Sequence, residues 1–453
     1  LYEKCHPERS EGSARHAGNI LRFAQDDKLM EIISAKYLVS MEEEPLFDGA
    51  IAVENGEIMD VGLEEELLKR YPDAPHEDFP HHALLPGLVN AHAHLDLTHH
   101  KNFPFDPVRS RAVDVSFVDW LLSTIDYRKA SSQEKLKSSV EEGIEMVIES
   151  GTTCVGDMGS YEGIFQSLEQ AGMRAVIFPE ILSYDPFVAK NLFETALAIV
   201  EKYMDMDSDL IGVGIGPYAP YLLSRNILKI MSQYCRSSNL PIAIHAAESF
   251  SELEFFYNST GDIATRLFPN IGWGENLPPA HRKTPLEYLD EIDFLSSKPL
   301  LIGANGATPK DLDRVAKHGA KIVWAPRSQH YLKLGKAPIK TMLQKGITVA
   351  LGTEGISSTN NLSMWDELRF AQEMEKEITP KTLLQMATRS GAAALGLEDD
   401  IGSLRRGKKA DYIAVDISEF SGKGDLYAFL ITQTKNYHVH KVVVNGQTVK
   451  TVN

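Results

Sequence analysis

Between residues 83 and 354 the chain repeats one texture eight times, a short apolar run followed by a helix-length periodic segment. The runs are "ALLPGLVNAH", "GTTCVGD", "RAVIFPEIL", "LIGVGIGPY", "PIAIHAAE", "PLLIGAN", "AKIVWAPRS" and "GITVALGTE". Runs that stay apolar, rather than alternating with polar residues, belong to parallel strands covered on both faces. Eight such strands separated by helices predict an α/β fold of the (β/α)8 barrel type. The helices carry their own signals. "SQEKLKSSVEEGIEMVIESG" starts on Ser and stops on Gly, and "TPKDLDRVAKHG" starts Thr-Pro and stops on Gly. Two doubly wound domains would need a linker mid-chain, and the sequence has none.

The flanks read differently. "EIISAKYLVS" and "GAIAVENGEIMDVG" near the start, and "HKVVVNGQTVKTV" near the end, alternate with period two around Asn-Gly turns. The two ends are expected to build one small β-sandwich. The division is then residues 30–85 and 402–453 for the sandwich and 86–401 for the barrel. Residues 1–29 resemble the translation of a dispersed bacterial repeat, so Met30 is the expected natural start and the stretch before it a non-native or disordered leader.

A length of 453 residues with 43% hydrophobic content allows a large buried core. A net charge of −17 argues against nucleic acid or an anionic membrane as partner. Cys5, Cys154 and Cys235 lie far apart and read as free thiols, no apolar run reaches the length of a membrane span, and the expected location is the cytoplasm.

In such a barrel the working side chains sit at the C-terminal strand ends. Strand one ends in His92 and His94, strand four near Tyr218, strand five in His245 with Glu248 after it, strand six at Gly303 and strand eight at Glu354. Histidines two apart on a strand share a face, so His92 and His94 are able to hold one ion, with His245 entering from across the barrel and Glu354 completing the set. Imidazoles with a carboxylate suit zinc, and also iron or manganese, leaving a position for an activated water. Glu248 reads as a proton shuttle and Glu354 as ligand and base. His99, His100, His281, His318 and His330 read as surface or loop residues.

From Met30 onward the chain resembles the amidohydrolase superfamily, in its branch of deaminases and chlorohydrolases acting on cytosine, adenosine-type and triazine rings. The matching stretches are "LLPGLVNAHAHLDLTH", "SGTTCVGDM", "GIGPYAPYLLS", "IHAAES", "WAPRSQHYLKLGKAPI", "VALGTEGISSTNNLSMWDELR" and "GSLRRGKKADYIAVD". Within the branch, "NAHAHLDLTHH", "FVDWLLSTIDYR" and "PLEYLDE" are most similar to the aminodeoxyfutalosine deaminase group. The resemblance implies one metal held by His92, His94 and His245, Glu248 as acid and base, a small-molecule substrate and, by analogy, a homo-oligomer.

Three positions depart from the family pattern. Tyr218 and Gly303 stand where histidines are usual, and Glu354 where Asp is usual. Tyr218 keeps a donor for holding substrate, while Gly303 offers no side chain, a loss of the kind that costs on the order of a hundredfold to a thousandfold in rate. Asn305 and His330 are the candidates to replace it. Two readings follow: a deaminase of an amino-substituted purine- or pyrimidine-like ring, or a silent barrel that keeps a ligand pocket. A degraded enzyme is expected to gain activity from Gly303→His with Glu354→Asp. The candidate lid segments, Lys101 to Trp120 and Asn270 to Asp290, bring Trp120, Trp273 and Arg282 to the substrate question, Trp120 as the candidate contact.

Overall fold

The structure, a computed structural model, describes residues 30–100, 116–204 and 208–451. The leader and the greater part of the first candidate lid segment lie outside the described residues.

Eight parallel strands form the ring: β1 (Leu88–Ala93), β2 (Thr152–Gly159), β3 (Arg174–Ile181), β4 (Ile211–Val213), β5 (Ala243–Ala246), β6 (Leu300–Gly303), β7 (Lys321–Trp324) and β8 (Val349–Leu351). β1 to β4 pair in sequence order, as do β5 to β8. Bridges Ile215↔Ile242 and Ala93↔Glu354 join the two arcs and close the barrel. Alternate residues then part company. Val89, Ala91, Cys154, Val176, Phe178, Ile302, Val323 and Ala350 pack inside the ring. Val155, Ile177, Ile244, Leu301, Ile322 and Leu351 pack outward under the helices. This is why the runs read as apolar throughout.

The first apolar run is two strands. Ala83–Pro86 finish the strand His76–Pro86 of the second domain, and only Leu88–Ala93 enter the barrel. The helices start where the sequence says. Ser132 accepts from Lys135 N–H at the head of Gln133–Glu149, and Thr308 and Asp311 form a reciprocal capping box at the head of Pro309–His318. Among the described residues no helix is long and apolar enough to cross a membrane.

Both chain ends build the sandwich domain as one mixed seven-stranded sheet. Glu31–Leu38, Leu46–Glu54, Glu57–Leu63 and His76–Pro86 come from the first end, and Tyr412–Asp416, Val439–Val444 and Gln447–Thr451 from the second. Ile33, Ile51, Leu84, Tyr412 and Val443 share its core. Arg174 at the foot of β3 fastens it to the barrel, its Nε and Nη2 donating to the two oxygens of Asp411 at 2.9 and 3.0 Å in a buried pair.

Candidate active site

His92 and His94 face the barrel interior because β1 breaks its own alternation. Val89 and Ala91 point inward and Ala93 outward, with a register irregularity between Asn90 and Ala93 in the pairing with β2. One extra residue in a strand flips everything after it to the other face. Gly156 on β2 makes room, since a Cβ there would sit 2.5 Å from the Ala91 carbonyl oxygen.

The bulge brings the two imidazoles to His245 from β5 and Glu354 from the end of β8. Each of the four is only 1–2% exposed, and their ligand atoms all lie within 4.8 Å of one another. His92 Nε2 is 3.3 Å and His94 Nε2 3.5 Å from the two Glu354 oxygens, and His245 Nδ1 is 4.0 Å from the nearer one. His92 Nε2, His94 Nε2, both His245 ring nitrogens and Glu354 Oε2 have no hydrogen-bond partner. Buried polar atoms are almost always paired, so four side chains that each bring an orphan atom to one cluster ask for a cation. Three imidazoles and a carboxylate fit a borderline divalent ion. Glu354 reaches the cluster from a left-handed backbone (φ +57°), a conformation that strains a residue bearing a Cβ by about 1–2 kcal/mol.

The charges around the cluster sort themselves. Burial, then the neighbouring His92, hold His94 well below the usual imidazole range, so its ring stays neutral. Its Nδ1 donates to the Met158 carbonyl, which leaves Nε2 with the lone pair. Burial works against a charge on His245, but the carboxylates of Glu248 and Glu354 outweigh it and lift it to about 9. Burial also opposes the charge on Glu354, and His92 and His245 overcome it, keeping the carboxyl ionised.

Glu248 lies beside this cluster, Oε2 at 3.4 Å from His245 Nδ1. Its backbone is held on both sides: its N–H donates to Glu252 Oε2 at 2.8 Å, and its carbonyl accepts from Asn305 Nδ2 at 3.1 Å. Because that Asn305 nitrogen donates to a carbonyl, the amide orientation is set, and its buried Oδ1 is left as an unpartnered acceptor. Tyr218 is buried with its ring centroid 4.9 Å from that of His245. Burial, with Tyr221 and Glu248 nearby, pushes its hydroxyl well above the ordinary range, so it remains a donor.

The amidohydrolase family model matches residues 83–449. This chain belongs to the amidohydrolase family. Among curated relatives, this amidohydrolase is 29% identical to a 5-methylthioadenosine/S-adenosylhomocysteine deaminase of Thermodesulfovibrio yellowstonii, over 92% of each chain. It is 26% identical to an aminodeoxyfutalosine deaminase of Deinococcus radiodurans, over 80% of this chain and 84% of that one. The fold superposes on the crystal structure of an adenosine deaminase from Xanthomonas campestris with bound zinc, with TM-score 0.80, 25% identity and 92% of each chain covered.

Other expected positions of this amidohydrolase fall elsewhere. Trp120 is buried in the main core, its indole N–H donating to Ser357 Oγ at 2.9 Å, so it anchors the helix Phe117–Ala130 to the short helix Ile356–Thr359 after β8. His330 is exposed and packs on Phe370. Trp273 packs edge-on against Tyr184, and Arg282 donates to Asn258 Oδ1 at 2.8 Å. His100 corrects the surface reading: it is buried against Tyr127, next to Ser123, and burial lowers it to about 4.

Four charged residues close to His94 were not expected from the sequence: Asp96, Arg128, Asp157 and Glu180. Asp157 and Glu180 sit at the C-terminal ends of β2 and β3. The strand-end rule that picked out strands one, four, five, six and eight finds both when applied to strands two and three. Asp96 and Arg128 follow β1, in the turn Leu95–Leu97 and the last turn of Phe117–Ala130.

Proposed function

We propose that the chain is a metal-dependent hydrolase that deaminates an amino-substituted purine carried by a small nucleoside-like substrate. The observation that carries this reading is the set of unpartnered ligand atoms of His92, His94, His245 and Glu354 with the Glu248 carboxylate at its edge. The relatives' names, deaminases of 5′-substituted adenosines and of aminodeoxyfutalosine, narrow the ring to an adenine type. His92, His94, His245 and Glu354 would hold one divalent ion, zinc by preference, which supplies Lewis-acid activation of water.

Glu248 takes one proton from the attacking water and delivers it to the ring nitrogen, then carries the second proton of that water from the new hydroxyl to the amino group, which leaves as ammonia while the ring carbon keeps the oxygen as a carbonyl. Tyr218 offers an O–H and Asn305 Oδ1 an acceptor, so the ring has one donor and one acceptor to meet besides Glu248. The silent-barrel alternative draws no support from this geometry, because the altered residue Glu354 reaches all three imidazoles.

The test is elemental analysis of protein purified without added metal, with His92→Ala alongside, and ammonia release from adenosine, 5′-deoxyadenosine, 5′-methylthioadenosine and aminodeoxyfutalosine. About one equivalent of zinc, lost in the variant, with turnover of at least one adenine nucleoside is expected. Bound metal with no ammonia from any adenine substrate would sink the deaminase reading.

A further inference from the structure

We propose that Arg128 is a positioning residue that locks the ring of His94 for metal binding. The inference rests on the reading that His92, His94, His245 and Glu354 hold the ion. Arg128 ends the helix Phe117–Ala130 and turns its guanidinium inward behind His94, where little of it is exposed. Its Nε and Nη2 donate to the two oxygens of Asp96, both at 3.0 Å, and its Nη1 donates to both oxygens of Glu180 at 2.7 and 2.8 Å. The same Nη2 lies 3.3 Å from His94 Nδ1.

That Nδ1 already donates to the Met158 carbonyl, so the guanidinium meets it as a wall and not as a hydrogen-bond partner. The imidazole cannot swing off Met158 toward β3 without driving into Arg128. Asp96, two residues beyond His94, is fixed from the other side as well, accepting from Ser160 N–H at 3.1 Å and Ser160 Oγ at 3.0 Å. One cation thus ties the C-terminal ends of β1, β2 and β3 together behind a single ligand. Stability alone does not call for such a group, since apolar residues of similar volume serve a buried site as well as or better than an ion cluster. Orientation of a ligand does call for it, because partners behind a metal-bound histidine fix the ring and its tautomer.

The experiment titrates Co(II) into chelator-treated wild type, Arg128→Met, Arg128→Lys and Glu180→Gln, reading the affinity and the visible d–d spectrum, with melting temperatures of the metal-free forms recorded in parallel. Arg128→Met is expected to weaken Co(II) binding about 10–100-fold and to alter the spectrum. Arg128→Lys, which keeps the charge but not the fork that spans two carboxylates, is expected to recover part of both. Wild-type affinity and spectrum in Arg128→Met, even with a lower melting temperature, would overturn the proposal and leave Arg128 a structural ion pair. Should Arg128→Met fail to fold, Glu180→Gln decides: it loosens the clamp without removing the cation, and an unchanged spectrum and affinity there overturn the idea equally. Wild type that takes up no Co(II) would instead remove the underlying metal reading, an outcome distinct from metal bound alike by wild type and variant.

Discussion

Gly303 has φ +93°, and a Cβ placed on it would lie 3.0 Å from both Cβ and Cγ of Glu248. A histidine at this position therefore does not restore a missing donor; it strains the backbone and pushes the acid/base candidate aside. Gly303→His is expected to lose at least about 1 kcal/mol of stability from the backbone alone and to lower turnover, measured by thermal melts and initial rates. From the sequence, a gain was expected only from a degraded enzyme, and a loss from a site rebuilt around Gly303. Glu354→Asp is likewise expected to impair: the carboxylate already meets His92 and His94 at 3.3 and 3.5 Å, and shortening it withdraws that reach. At least about a tenfold weaker metal affinity should appear in competition with a chelator. The grouping of His92 with His94 was legible because histidines two apart on a strand share a face. Their inward direction was not, because the parity of Val89 and Ala91 points the other way and only the bulge, with Gly156 beneath it, corrects it.

Two elements at the mouth carry buried carboxyls that titrate unusually. Glu252, in the first turn of Phe250–Asn258, and Glu367, in the first turn of Met364–Met374, are both raised by burial to about 8 from an ordinary value of 4.5. The folded protein then keeps protons that the unfolded chain releases. Their contribution is fully present below about pH 4.5 and is lost as pH climbs toward 8, at up to about 1.4 kcal/mol per pH unit for each group. Urea midpoints between pH 5 and 8 should fall less steeply in Glu252→Gln and Glu367→Gln than in wild type; parallel curves would contradict the assignment. Nothing in the sequence warned that these acids face inward. An acid in the first turn of a helix ordinarily reads as a partner for the helix dipole.

At the scale of the molecule the eightfold repetition made the barrel legible, since the other way to bury so many parallel strands on both faces, two doubly wound sheets, would need a linker that the repeat leaves no room for. How barrel and sandwich are fastened was not legible, because Arg174 and Asp411 stand 237 residues apart. Arg174→Met leaves the buried Asp411 side chain without its guanidinium partner, and a loss of about 3–5 kcal/mol is expected, read in denaturant unfolding that splits into two steps as the domains part. Chelation should lower the melting temperature of a metal-loaded preparation, since a ligand at about a thousand times its Kd stabilises by roughly 4 kcal/mol. The join between β8 and β1 has a consequence in time. Asn90 and Thr353 are 263 residues apart, yet Asn90 Nδ2 donates to Thr353 Oγ1 at 2.8 Å, and the His92 carbonyl accepts from the N–H of Thr353 and Glu354. A chain leaving the ribosome therefore exposes histidines long before it owns the carboxylate that completes their set, and His76–Pro86 waits even longer for Tyr412–Asp416 to cover its edge. The proposed metal set is thus complete only when synthesis is almost finished, so any device that protects unpaired strands and free imidazoles must act while translation is still under way.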